Sequence, residues 1–202
     1  KQNSKGYAMK LMKSDTTKIL EEARSIQKKF SPFITLPEKI EPNPKKGLLS
    51  GIVISVKDNI CTKGIQTTAG SRILQNYTPP FNATCVERIL DAGGVILGKT
   101  AMDEFGFGTF SVNCAYGIPK NPLDISRSCG GSSGGASCLT ASADFPHIAL
   151  AESTGGSISC PAAFTGTVGL TPTYGLVSRW GLIDYANSLD KIGCIGKSVY
   201  DV

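Results

Sequence analysis

Residues 84–100 read Thr-Cys-Val-Glu-Arg-Ile-Leu-Asp-Ala-Gly-Gly-Val-Ile-Leu-Gly-Lys-Thr, and the order of their parts settles the fold class. Thr84-x-x-Glu87 has the form of a capping box ahead of Val86, Ile89 and Leu90, Gly93-Gly94 stops the helix, and Val95-Ile96-Leu97 is a short apolar strand. Gly93-x-x-x-x-Gly98-Lys99-Thr100 also matches a phosphate-loop string letter for letter. A phosphate cradle needs a strand before its first glycine and turning amides between the two. Here a helix comes first and three strand formers fill the variable positions, so the segment reads as a buried strand ending at Gly98. A nucleotide-binding module is the distant reading.

Working outward, the same alternation continues. Gly51-Ile-Val-Ile-Ser-Val-Lys57 is strand-like, a further helix is expected after Thr100, Gly134 to Ala143 reads as helix, and His147 to Ala151 as strand. Thr154 to Ser157 forms a glycine turn before another helix start that includes Pro161. Towards the N-terminus, Ile19, Leu20, Ala23, Ile26 and Phe30 share one helical face, with Asp15 to Thr17 as N-cap candidates. Prolines 32, 37, 42 and 44 then interrupt any regular element. The division is residues 1–50, a leading helix and Pro-rich connector, and residues 51–202, an α/β unit with a largely buried mixed sheet flanked by helices.

Composition excludes several classes. With 41% hydrophobic and 18% charged residues among 202, long disorder is excluded, and no apolar run nears the roughly 18 residues that cross a bilayer. The net charge of +5 is uneven: residues 1–50 hold 11 Lys/Arg and 5 Asp/Glu, and the remainder 10 and 11. The basic segment has no interleaved aromatics and reads as a solvated face rather than a nucleic-acid surface. It carries acids and a single arginine, Arg24, and lacks a signal peptide's apolar core, so a cytoplasmic location is expected. Seven cysteines without a C-x-x-C pair predict mostly buried thiols rather than disulfides or a zinc site, and a nucleophilic cysteine would have only His147 as a histidine partner.

Three short segments hold polar residues that packing alone does not call for: Val56-Lys57-Asp58-Asn59, Gly130-Gly131-Ser132-Ser133-Gly134-Gly135 and Thr154-Gly155-Gly156-Ser157. Glycines beside a serine let backbone approach a substrate carbonyl, and the amides of Thr154, Gly155, Gly156 and Ser157 could form an oxyanion hole ahead of a helix. A serine nucleophile needs a base. The single histidine, His147, lies in an extended segment ten positions before Ser157, a poor arrangement for a Ser-His-Asp triad. Lys57 is the alternative, because burial at the end of an apolar strand favours a neutral amine. The bland alternatives are a lysine that snorkels or pairs with Asp58, and surface serines in glycine loops.

In order along the chain, K-D-N at 57–59, T-T-A-G-S at 67–71, G-K-T-x-M-D-E-F at 98–105, G-G-S-S-G-G at 130–135, T-G-G-S-I at 154–158 and Y-G-L-V-S-R-W-G-L at 174–182 resemble the amidase signature family. Within it they are similar to the A-subunit branch of the tRNA-dependent amidotransferases. The resemblance implies the amidase signature fold and a Ser-Ser-Lys triad. Ser157 would be the acyl-forming nucleophile, Ser132 the bridging serine after a cis peptide from Gly131, and Lys57 the base. Gly131 would face substrate, and Ser133 would have no catalytic part.

The resemblance further implies a glutamine-hydrolysing component that sends ammonia to a B subunit, braced by a C subunit. The B subunit uses ATP and Mg²⁺ to amidate Glu-tRNA(Gln) or Asp-tRNA(Asn), and neither cofactor nor metal is implied for this chain. Members of the family are longer, so residues 51–202 are expected to be the N-terminal portion of the domain, with the glutamine-gripping residues beyond Val202. The sequence departs from the family's D-T-G-G-S-I-R at Ser153 and Ser159. If these serines replace a salt bridge, hydroxyl hydrogen bonds or Glu152 would brace the loop instead. The alternative functions are a stand-alone amidase on small or acyl amides and a catalytically impaired scaffold subunit.

Overall fold

The structure, a computed structural model, describes residues 13–202, with side chains from Asp15 onward. Six strands form one mixed sheet: β1 (Phe33–Thr35), β2 (Val53–Lys57), β3 (Val95–Thr100), β4 (His147–Ser153), β5 (Val168–Leu170) and β6 (Lys191–Gly196). Their order across the sheet is β1-β3-β2-β4-β6-β5. The central strands β3, β2 and β4 run parallel, whereas β1, β6 and β5 are joined antiparallel. Every residue of β2 is buried, as a central strand covered on both faces requires.

Alternation in β2 divides the core. Val53 packs with Ile19, Leu20, Ala23, Ile26 and Phe30 of α1 (Lys13–Phe30) and with Cys138 and Leu139 of α3 (Gly134–Ser142). Ile54 and Val56 pack on the other face with Cys85 and Val86 of α2 (Thr84–Asp91), Leu150 and Ile192. Ala136 of α3, Ala149 and Ala151 of β4, Ala162 of α4 (Ser159–Thr165), Ile158 and Ile195 form a third, small-residue core. Small side chains there let α3 lie close to the sheet: a Cβ on Gly135 would run into Pro32 O and both backbone polar atoms of Ala101. Because α1 shares its core with β2, β3 and α3, and Phe33 and Ile40 join the same cluster, the described part of the leading segment is packed into the same body as the sheet.

Several expected elements take a different form. The helix expected after Thr100 is only a 3-10 turn, Glu104–Gly106. Asp103 draws the chain back by accepting the amides of Ser111 (2.8 Å) and Asn113 (3.0 Å), which closes a loop instead of a helix. The capping box at Thr84 does not form: Ala83 is the cap residue and no side chain caps α2. The Thr84 amide donates instead to Trp180 O (3.2 Å), so a distant loop satisfies the helix end. Asp15 to Thr17 lie inside α1 rather than capping it. The Pro-rich connector contains a short edge strand, β1, fitted between Pro32 and Pro37, where a missing amide is tolerated.

His147 is part of this packing. It starts β4, and its ring nitrogens lie 2.9 Å from Ser55 Oγ and 3.4 Å from Thr140 Oγ1. Burial, with Lys197 nearby adding repulsion, lowers its pKa to about 3. The unfolded chain, with an ordinary value near 6.5, therefore binds a proton that the native state refuses. His147 thus stabilises the fold above pH ~6.5 and this contribution is lost as the pH falls toward 3. Thermal unfolding between pH 7 and 5 is expected to show a shallower loss of Tm in His147→Gln than in wild type, the difference in slope being at most about 1.4 kcal/mol per pH unit.

Candidate active site

The three polar segments converge at the C-terminal ends of the parallel strands, where α/β sheets place their ligand crevices. Lys57 is the last residue of β2, and Thr154 to Ser157 follow β4 and lead into α4. Ser132 and Ser133 immediately precede α3, and the Gly131–Ser132 peptide is cis. The 103–113 loop folds against this turn. The Asp103 amide donates to Ser132 O (3.2 Å), and a Cβ on Gly131 would collide with the Asp103 carboxylate and the Ser111 and Phe110 amides. Gly131 is thus required by its neighbours' closeness as well as by position.

Lys57 is fully buried. Its Nζ lies 2.8 Å from Ser132 Oγ, 3.0 Å from Glu152 O and 2.9 Å from Glu152 Oε2. Glu152 Oε2 also accepts from Asn59 Nδ2 at 3.2 Å. Ser133 Oγ donates to Glu152 O at 3.1 Å, a bracing contact away from the amine. Of the predicted residues, Lys57 and Ser132 are therefore directly bonded. Ser157 is 9% exposed and lines a pocket of about 410 Å³ together with Gly131, Thr154, Gly155, Gly156 and Cys160. Its hydroxyl forms no hydrogen bond to Ser132 or to any other of the described residues, and the amides of Gly155, Gly156 and Ser157 likewise donate to none of them. Tyr185 and Leu189 close one wall, with the Tyr185 ring 4.1 Å from that of Phe107.

The departures at Ser153 and Ser159 have local consequences. Ser153 Oγ donates to Gly155 O (3.1 Å) and Ser159 Oγ to Gly156 O (3.4 Å), so both hydroxyls bind the glycine turn. Glu152 does not reach Ser159. Its carboxylate turns to Lys57, and its other oxygen meets Thr154 Oγ1 at 3.1 Å. Thr154 Oγ1 also lies 2.6 Å from Asp190 Oδ1, and Asp190 Oδ2 accepts the Tyr185 (2.8 Å) and Ala186 (2.9 Å) amides. Asp190 carries no motif signal in the sequence, since only the tertiary fold brings residues 185–190 beside the turn.

Lys57 does not pair with Asp58. That carboxylate accepts the Thr68 amide (2.9 Å) and hydroxyl (2.5 Å) and lies 3.8 Å from Lys99 Nζ. Burial raises the Asp58 pKa, opposed by Lys99 and Thr68, and burial lowers that of Lys99 to about 8 against the pull of Asp58. Lys99 is fully buried and donates to Ile60 O (2.6 Å) and Thr67 Oγ1 (2.8 Å), so the phosphate-loop lookalike is a strand whose lysine faces the interior. His147 lies at the opposite end of β4 from Ser153. All seven cysteines are free, and among the described residues no cluster of His, Cys, Asp and Glu is placed to hold a metal.

A mixed α/β sheet carrying a lysine-bonded serine and a second serine in a glycine turn at its strand ends narrows the class of protein considerably. The chain belongs to the amidase family, whose sequence profile matches residues 14–202. It is 48% identical over 198 residues to the A subunit of glutamyl-tRNA(Gln) amidotransferase from Trichodesmium erythraeum, covering 92% of this chain and 41% of that relative. Among solved structures, the A subunit of the Thermotoga maritima glutamyl-tRNA(Gln) amidotransferase matches with a TM-score of 0.84 and 41% identity, over 95% of this chain and 43% of that one. The native peptide amidase of Stenotrophomonas maltophilia matches with a TM-score of 0.82 and 35% identity, over 92% and 42%. The chain thus spans less than half the length of these relatives.

Two substitutions test the site's construction. Lys99→Ala strands the Asp58 carboxylate without its cation and is expected to cost about 3–5 kcal/mol in denaturant unfolding. Gly155 has nothing within 4 Å of a Cβ position, so Gly155→Ala is expected to leave the unfolding midpoint unchanged. Steady-state kinetics on the same variant should nonetheless show turnover reduced about tenfold or more, because the added methyl stands at the pocket beside the free amides.

Proposed function

We propose that this chain carries the catalytic centre of the glutamine-hydrolysing A subunit of a tRNA-dependent amidotransferase. The observation that carries the reading is the 2.8 Å bond between Lys57 Nζ and Ser132 Oγ, sealed from solvent at the edge of the pocket that Ser157 lines. Similarity to two proteins named as the A subunit of glutamyl-tRNA(Gln) amidotransferase supports the choice of substrate.

In this mechanism Ser157 Oγ attacks the side-chain amide carbon of glutamine. Its proton passes through the Ser132 hydroxyl to the Lys57 amine, and the amides of Thr154, Gly155, Gly156 and Ser157 receive the developing oxyanion. The C–N bond then breaks, and the departing nitrogen takes the proton back along the same path and leaves as ammonia. Water next attacks the glutamyl ester, giving up its proton by the same route, and glutamate leaves with Ser157 restored. The overall change is glutamine and water to glutamate and ammonia. This chain needs no cofactor for these steps.

Ammonia would pass to a B subunit that uses ATP and Mg²⁺ to amidate a misacylated Glu-tRNA(Gln) or Asp-tRNA(Asn), with a C subunit completing a heterotrimer. Seven unpaired cysteines support a reducing compartment, the cytoplasm in the simplest case, and no helix among the described residues is long and apolar enough to cross a membrane. A stand-alone amidase is the second reading, favoured by the likeness to the peptide amidase.

Ammonia release by the whole protein with its partner subunits tests the assignment. Lys57→Ala, Ser132→Ala and Ser157→Ala are each expected to lower kcat by about 10³-fold or more, non-additively in combination. A fluorophosphonate probe should label wild type on Ser157 and leave Ser157→Ala unlabelled. Normal turnover by Ser157→Ala would overturn the mechanism, and glutaminase activity independent of any partner would favour the stand-alone reading.

A further inference from the structure

Glu152 lies outside the triad, yet its side chain is almost wholly buried and touches the base directly. The three acceptors around Lys57 Nζ would suit an ammonium, whose three N–H groups match Ser132 Oγ, Glu152 O and Glu152 Oε2. They suit a neutral amine equally: two N–H groups go to Glu152, and the lone pair faces the Ser132 hydroxyl. The surroundings of the Glu152 carboxyl decide between these states.

Thr154 Oγ1 is 3.1 Å from Glu152 Oε1 and 2.6 Å from Asp190 Oδ1. A threonine hydroxyl has one proton and can donate to only one of two carboxyl oxygens, so the other contact is attractive only if that carboxyl donates. The 2.6 Å contact is a short hydroxyl–carboxylate bond and takes the threonine proton, whereas 3.1 Å lies just beyond the usual O–H···O range, so Oε1 gains no donor from Thr154. Asp190 is the better-held anion, because two backbone amides feed its other oxygen at 2.8 and 2.9 Å. An ionised Oε1 would then be a buried carboxylate oxygen without a donor, so the proton is assigned to Glu152 Oε1, facing Thr154 Oγ1, which itself donates to Asp190. Oε2 is left as the carbonyl oxygen, and it accepts from both Lys57 and Asn59 (3.2 Å). The other charges near this chain of bonds fit the same allocation. Lys191, from β6, is directed to Thr154 O (2.9 Å) and Leu189 O (2.6 Å), and Lys99 is paired with Asp58 (3.8 Å).

We propose that Glu152 is a positioning residue that holds the proton Lys57 must shed, so that the lysine meets Ser132 as a neutral amine. One proton crosses from Nζ to the carboxyl group, converting ammonium and carboxylate into amine and carboxylic acid with no change in net charge. The Lys57–Ser132–Ser157 relay of the proposed function is the reading on which this rests. The buried pair stays neutral overall in both forms, and the Thr154–Asp190 contact selects the form that catalysis needs.

Glu152→Gln copies the protonated acid, with an amide oxygen for Lys57 and Asn59 and an amide N–H for Thr154, whereas Glu152→Ala removes both. In the whole protein with its partner subunits, Glu152→Gln is expected to rescue kcat to within about tenfold of wild type, and Glu152→Ala to lose about 10²-fold or more. The kcat/KM profile of Glu152→Gln should move along the pH axis, because the carboxyl that exchanges a proton with Lys57 is gone. Infrared spectra of wild type at neutral pH should contain a protonated-carboxyl C=O band that is lost in Glu152→Gln, shifted in Thr154→Val and retained in Asp58→Asn.

Glu152→Gln as inactive as Glu152→Ala, or a wild-type spectrum without such a band, overturns the proposal. Should Glu152→Gln fail to fold, the wild-type and Thr154→Val spectra decide it alone. Normal turnover by Ser157→Ala with the band present would instead sink the relay and leave the protonation of Glu152 standing.

Discussion

The structure is organised around a lysine amine with no access to water. Lys57 ends a strand buried on both faces, so its charge or its proton must be accommodated by protein atoms alone. Three oxygens surround the nitrogen, two of them from Glu152 and one from Ser132. This requirement ties β2, β4 and the turn before α3 to a common point. A serine that would be an ordinary surface hydroxyl in an open glycine loop becomes the lysine's hydrogen-bond partner.

The loops around that point are held by buried carboxylates rather than by regular structure. Asp103 gathers the amides of Ser111 and Asn113, Asp58 those of Thr68 and Gly70, and Asp190 those of Tyr185 and Ala186. Each carboxylate replaces a missing backbone partner in a segment that is neither helix nor strand, as buried amides demand. Glycines do the complementary task of leaving space. Gly131 admits the Asp103 loop, whereas Gly155 is crowded by nothing in the protein and borders the pocket. The same residue type is thus required by packing in one turn and left open to a ligand in the other.

Much of the architecture was legible in periodicity and punctuation. The apolar face of α1 and the helix and glycine stop of residues 84–94 appear where their patterns place them, whereas the strand expected from Gly51 starts at Val53 and the one expected to end at Gly98 runs on to Thr100, paired along β2. The differences share a physical cause: the cap pattern at Thr84 and the helical pattern after Thr100 are local signals only. Trp180 and Asp103, through contacts made across the fold, supplied the backbone partners that local side chains were expected to supply. The Pro-rich connector likewise yields β1 because the edge of β3 was available to pair with it.

The amino-acid sequence by itself determined the alternating α/β pattern, the dismissal of Gly93–Thr100 as a phosphate loop and the three polar segments with Lys57 as the alternative base. These depend on residue type, order and short-range spacing, which a linear chain displays, whereas Ser132 and Ser157 were singled out as triad members by the family resemblance. Only the tertiary structure decided that Lys57 pairs with Glu152 and not with its neighbour Asp58, that Lys99 takes Asp58 instead, and that Asp190 reaches Thr154. Charge partners in a buried site are selected by which side chains the sheet's strand order and loop closures bring within hydrogen-bond range, and residues 57 and 152 meet because β2 and β4 are adjacent and parallel.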